Sequence, residues 1–204
     1  MEHLSVIITS VFGGIITFAI AWLAYNQKTK DKMTDVKIEG IKIENERKSA
    51  TNNRHIATIH GVIWELLLSL NADRCFIMQP HPEQKHMYLS VAFEVGRLGV
   101  SPVKDFFINI PISSMAKFSK EIATTPWIYI EDTGKDIGDK KAQSMMILAG
   151  TKQLALRQLV DTNSSWIGTL VVENIDYKDV DKEKSMERIL QAATSIQYIL
   201  PPIN

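Results

Sequence analysis

Residues Leu4 to Tyr25 form an unbroken run without a charged side chain, LSVIITSVFGGIITFAIAWLAY. As a helix rising ~1.5 Å per residue, the run reaches ~33 Å, enough for the ~30 Å hydrocarbon core of a bilayer. Its polar members Ser5, Thr9, Ser10 and Thr17 are small and can bond back to carbonyls of their own helix. Trp22 and Tyr25 stand at its C-terminal end, where amphipathic rings favour the membrane interface. A cleaved signal peptide needs a basic start, a shorter apolar stretch and small residues at the cleavage point. Here Met1, Glu2 and His3 precede the run, and Trp22 and Leu23 occupy the places where small residues are wanted. The reading is an uncleaved single-pass transmembrane anchor over residues 1–25.

Charge sets its expected orientation. Lys28, Lys30, Lys32 and Lys37 follow the run, against Asp31 and Asp35. The positive-inside rule then puts the large C-terminal part in the cytoplasm and the protein in the inner, cytoplasmic membrane. Trp22, Tyr25, Lys28 and Lys30 are the expected interface residues, the lysines lying within reach of anionic lipid heads. Over the whole chain 23 basic residues balance 23 acidic ones, which gives no electrostatic footprint for nucleic acid. The lone cysteine, Cys75, excludes an internal disulfide and reads as a core residue beside Phe76.

Residues 26–54 form a polar, helical stalk with eight Lys and Arg against five acids. From residue 55 to 204 the pattern becomes globular. Ile56, Ile59, Ile63, Leu67 and Leu70 recur at helical spacing until Asn71-Ala72-Asp73 breaks the helix. Arg74–Gln79 and Met87–Val95 read as a hairpin around Pro80–His86, with His81, Glu83 and His86 at a solvated tip rather than at a metal. Phe107–Ile112 reads as an edge strand because it contains Pro111. A short helix over Ser114–Ile122, a strand over Trp127–Asp132, a flexible charged stretch over Thr133–Lys141 and a helix over Ala142–Ala149 follow. Gln153–Val160 and Ser165–Glu173 make a second, central hairpin. The last helix starts near Asp181, with Asp179 or Asp181 as its cap, and stops at Pro201-Pro202. This order predicts an α+β domain with an antiparallel sheet of about five or six strands and helices on one face.

Within Leu154-Ala155-Leu156-Arg157, alternation puts Arg157 on the face of Ala155 and Leu159. There its guanidinium fork suits a carboxylate or phosphate if that face carries a pocket. Arg157 and Trp127 are therefore the candidate ligand-binding residues. No phosphate-cradling glycine loop, nucleophile elbow or paired catalytic carboxylates appear, so no catalytic residue, metal or cofactor is expected.

Several of these stretches carry a likeness. Leu70–Met78, Ile108–Ser113, Thr125–Asp132, Ala155–Val160, Trp166–Asn174 and the tail from Asp179 together resemble a GAF domain over Ile56 to Leu200. The resemblance implies a sheet backed by helices, a pocket for a small molecule or protein contact on its other face, and a role in sensing ligands or dimerising. The Asn-Lys…Phe-Asp…Glu signature of cyclic-nucleotide-binding members is missing, and Cys75 sits too early for the cysteine that holds a bilin in others. Ile167–Leu170 and Arg188–Ile196 are also similar to the C-terminal region of holins of T-even-type phages, which implies a lysis protein as the alternative. The expectation is a membrane-anchored, non-enzymatic GAF-like sensor or interaction module with an unassigned small ligand or protein partner. It is expected to be a homodimer paired through the apolar stripes of its first and last domain helices, at Ile59 and Ile196.

Overall fold

Alternating apolar residues make the sheet, and each turn between its strands forms where backbone-permissive residues interrupt the alternation. A computed structural model of the chain describes residues 41–82 and 85–203, together with Trp22, Gln27, Lys37 and Glu39. The chain divides into two compact units, Met1–Thr51 and Asn52–Asn204. In the first, residues 41–51 are helical and exposed, as is Trp22. Among the described residues no helix is long and apolar enough to cross a membrane. The apolar run itself, with Tyr25, Lys28 and Lys30, lies outside the described residues, Trp22 excepted.

The second unit opens with α1 (52–69), which ends where Asn71 turns left-handed at φ 53° and the Ala72 amide bonds back to the Leu67 carbonyl. Then come β1 (Arg74–His81), β2 (Tyr88–Gly96) and the two-residue β3 (Ile110–Pro111). A 3-10 turn (Ile112–Met115) leads into α2 (Ala116–Thr124), β4 (Trp127–Ile130), α3 (Thr133–Asp136) and α4 (Lys140–Leu148). β5 (Gln153–Val160), β6 (Trp166–Asn174) and α5 (Lys182–Ile196) complete it. The six strands are antiparallel in the order β3-β2-β1-β6-β5-β4. The β5–β6 hairpin is thus interior, and Pro111 sits on an edge, where its missing N–H costs no ladder bond.

Both faces of the sheet are covered, not one. Ile59, Ile63 and Leu67 of α1 and Ile189, Ala193 and Ile196 of α5 pack on Cys75, Ile77, Leu159 and Leu170. On the other face, Phe118 and Ile122 of α2 and Ala142 and Met146 of α4 join Phe76, Met78, Phe107, Met115 and Leu156. The expectation of helices on one face fails because the two foreseen helices α2 and α4 pack their apolar residues on the face opposite α1 and α5, a choice of side that no local period encodes. Ile59 and Ile196 are fully buried in this intramolecular core and offer nothing to a partner. The exposed apolar residues of these helices are Trp64 and Leu68 on α1 and Met186 and Leu190 on α5, each pair four residues apart and so on one side of its helix.

The charged stretch Thr133–Lys141 is ordered rather than flexible. Asp132 caps α3 through the Gly134 amide. Asp139 caps α4 through the amides of Lys141 and Ala142 and also receives the amides of Lys117 and Phe118 at the start of α2. Burial pushes the Asp139 carboxyl up, but these four N–H bonds outweigh it and hold the group below the usual carboxylate range. Asp181, not Asp179, caps α5 through the Lys184 amide.

Candidate functional site

The face opposite α1 and α5, where the resemblance implies a pocket, is filled. Phe76, Met78, Phe107 and Met115 are fully buried there, and Phe118 is 2% exposed. An opening lies instead at one end of the sheet, beyond the last turn of α5. There β6 pairs Leu159 with Gly168 and Val160 with Trp166, which leaves Ile167 as an extra, bulged residue. A bulge bends its strand and re-aims a side chain, and Ile167 lines a cavity of about 270 Å³. Gln79 and Pro80 of β1, Trp166, Asp161 of the β5–β6 turn and His86 of the β1–β2 turn share its wall, and Tyr198 and Leu200 of the tail cover it.

The tail lies close because Gly168 has no side chain. A Cβ there would stand 2.9 Å from the Met78 carbonyl and 3.3 Å from both Gln79 Cγ and Leu200 Cδ2. Gln79 is 3% exposed, and its Nε2 donates to the Pro201 carbonyl at 3.1 Å. Its Oε1 is buried with no hydrogen-bond partner among the described residues. Trp166 is 8% exposed, donates from Nε1 to Thr169 Oγ1 at 3.1 Å, and meets the His86 ring edge-on at 5.8 Å. His86 (φ 47°) and Ser164 (φ 62°), in the two turns at this end, hold left-handed backbone conformations uncommon for residues with a side chain.

The opposite end of the same β1–β6 ladder is closed. Arg74, 1% exposed, donates to the Glu173 carboxylate, to the Ser101 and Ala149 carbonyls and to Thr151 Oγ1, which in turn donates to Glu173 Oε2 at 2.9 Å. Burial pushes the Glu173 carboxyl up to about 7, against the pull of the Arg74 guanidinium and the Thr151 hydroxyl. Beside it, Asp73 accepts from the Ile175 amide and from Lys178 Nζ. Cys75 is fully buried in the aliphatic layer, and burial pushes its thiol up.

Arg157 and Trp127 are brought together, as cross-strand partners of β5 and β4. Arg157 shares the face of Ala155 and Leu159, as alternation predicts, and this is the face covered by α1 and α5. Both residues are half-buried, and neither lines the cavity at the tail. His81 and His86 do not form a solvated tip. His81 ends β1, is 7% exposed and bonds Ser90 Oγ at 2.9 Å. The sequence reading missed Gln79, taken as an ordinary strand residue, and the tail, taken only as a helix stop. The one local signal was an amide side chain directly after the apolar run Cys75–Met78.

No protein-family model and no curated relative matches the sequence. Solved structures do match. The blue-light-absorbing form of the PixJ GAF domain of Thermosynechococcus elongatus superposes with TM-score 0.60 at 12% identity, over 72% of this chain and 85% of that one. The phycocyanobilin-bound GAF domain of a cyanobacterial phytochrome gives 0.54 at 18% identity, over 73% and 93%. A domain of a Sinorhizobium meliloti protein described as a two-component sensor histidine kinase gives 0.51 at 14%, over 67% and 84%. Residues 52–204 therefore have a GAF-like fold.

Proposed function

We propose that the chain is a single-pass, membrane-anchored, non-enzymatic GAF-like sensor or protein-interaction module that acts as a homodimer. The GAF-like fold carries this reading, since the structures that share it include photoreceptor domains and a sensor-kinase domain. The uncharged run Leu4 to Tyr25 and the lysines after it support the anchor and a cytoplasmic position for the domain. Trp64 and Leu68, 47% and 59% exposed, support self-association, because an anchor holds two copies on one surface where a modest apolar contact suffices.

Two measurements test it. Alkaline phosphatase fused after Asn204 should be inactive in a bacterial host, and a fluorescent protein fused there should fluoresce. An active phosphatase reverses the orientation. Light scattering on the full chain in detergent should give a dimer that Trp64→Ser with Leu68→Ser converts to monomer without unfolding. A strict monomer at high concentration removes the dimer. An abrupt loss of membrane potential on induction, abolished by exchanging Leu4–Tyr25 for an unrelated apolar helix, would replace this reading with that of a lysis protein.

A further inference from the structure

We infer that the tail-covered cavity binds a small organic cation, a flat aromatic ring system carrying an alkylammonium arm. The inference rests on the sensing half of the proposed function and gives its ligand a chemistry. Its ground is the character of the wall. Among the described residues that line the cavity there is one carboxylate, Asp161, and no lysine or arginine. Asp161 Oδ1 already accepts the amides of Asn163 and Ser165, both at 2.8 Å, which fixes the turn and the direction of the carboxylate. No described hydrogen bond uses Oδ2.

Gln79 lines the same wall while its Nε2 holds the tail. Trp166, His86 and Tyr198 supply aromatic rings, and Ile167 and Leu200 supply apolar surface. Rings beside a carboxylate favour a cation over an anion, through attraction to the ring face and a charge-assisted hydrogen bond. A phosphate-bearing ligand would instead bury its charge beside Asp161 with no lysine or arginine among the described lining residues to meet it. At about 270 Å³ the cavity falls just short of drug-sized sites, so its ligand is the size of one or two fused rings with a short arm.

The geometry also gives binding a consequence. Gln79 lines the cavity, and its amide Nε2 donates to the Pro201 carbonyl. A ligand packed against Gln79 therefore touches the side chain that holds the tail, three residues beyond Tyr198 and downstream of α5. Occupancy of the cavity is thereby coupled to the C-terminal end of α5.

Tryptamine is the probe, with indole-3-propionate as its anionic counterpart of similar shape. The full chain in detergent micelles, labelled with nitrogen-15 at its four tryptophans, gives four indole signals, and Trp166→Phe identifies that of Trp166. Tryptamine should move the Trp166 signal and leave that of Trp127 in place, and indole-3-propionate at the same concentration should move neither. Asp161→Asn keeps the Oδ1 acceptor and so the turn, and should weaken tryptamine binding at least about tenfold. Ile167→Trp should fill the cavity and abolish the response. An equal response to both probes, no response to tryptamine from a folded protein, or full affinity in folded Asp161→Asn overturns the inference. A protein that is dimeric and oriented as proposed yet ignores tryptamine loses only this ligand chemistry. One that binds tryptamine as a monomer loses only the dimer.

Discussion

The two ends of the β1–β6 ladder solve the same problem differently. Each places a polar side chain of β1 almost fully out of water, Arg74 at one end and Gln79 at the other. Around Arg74, a carboxylate, two carbonyls and a hydroxyl answer its donors. Around Gln79, one carbonyl answers one amide hydrogen, and the buried oxygen has no partner among the described residues. A satisfied buried network rigidifies, while a half-satisfied one is a place where stability has been given up. The Arg74–Glu173 network reads as scaffold and the Gln79 end as the part free to respond, while Asn174 Oδ1, next to Glu173, is also buried with no partner among the described residues.

Three perturbations bear on this difference. The largest effect is expected from Arg74→Leu at pH 8, where Glu173 is ionised: the carboxylate is then buried without its cation, at a cost of about 3–5 kcal/mol in urea denaturation. Replacing both partners, Arg74→Met with Glu173→Leu, should recover most of that loss, because the penalty belongs to the orphaned charge. A single-variant loss under about 1 kcal/mol would mean the closed end is no scaffold.

The next effect depends on pH. Glu173 holds its proton in the folded protein up to about 7, whereas its ordinary value is 4.5. Between those values the folded state binds more protons than the unfolded one, so this group's contribution is full below 4.5 and is lost as pH rises towards 7. The wild type should lose stability relative to Glu173→Gln across that window in matched urea titrations. Parallel curves would show that Arg74 keeps the carboxyl ionised throughout. The smallest effect is expected at the open end. Gln79→Leu should change stability by no more than about 1 kcal/mol, since it removes one hydrogen bond and one unmet acceptor together. A loss as large as that of Arg74→Leu would erase the distinction between the ends.

These ends also mark what the sequence discloses. The hairpins β1–β2 and β5–β6 are legible because alternation is local, and α1 and α5 because their apolar stripes repeat over several turns. The burial of Cys75 follows from the same local logic, whereas the local pattern left Asp179 and Asp181 as equal candidates for the cap that Asp181 provides. α3 is not legible, since a four-residue turn has no period and forms because Asp132 receives the Gly134 amide. Arg74 and Glu173 lie 99 residues apart, and nothing near either announces the other. Arg157 stood out because it interrupts an apolar strand, and its face was read correctly. That this face belongs to α1 and α5 is a property of the assembled layers. Gln79 interrupts its strand in the same way, but its meaning depends on where Pro201 comes to rest, which no local pattern encodes.

Gly168 makes the absence of a single methyl group into a fastening. Where it faces Met78 and Leu200, the strand surface is flat enough for the tail to lie down. An alanine there would work as a doorstop, wedging roof from floor while every polar group of the wall keeps its identity. The molecule thus carries a point at which the covering of the cavity is set apart from its chemistry, so the two can be varied one at a time.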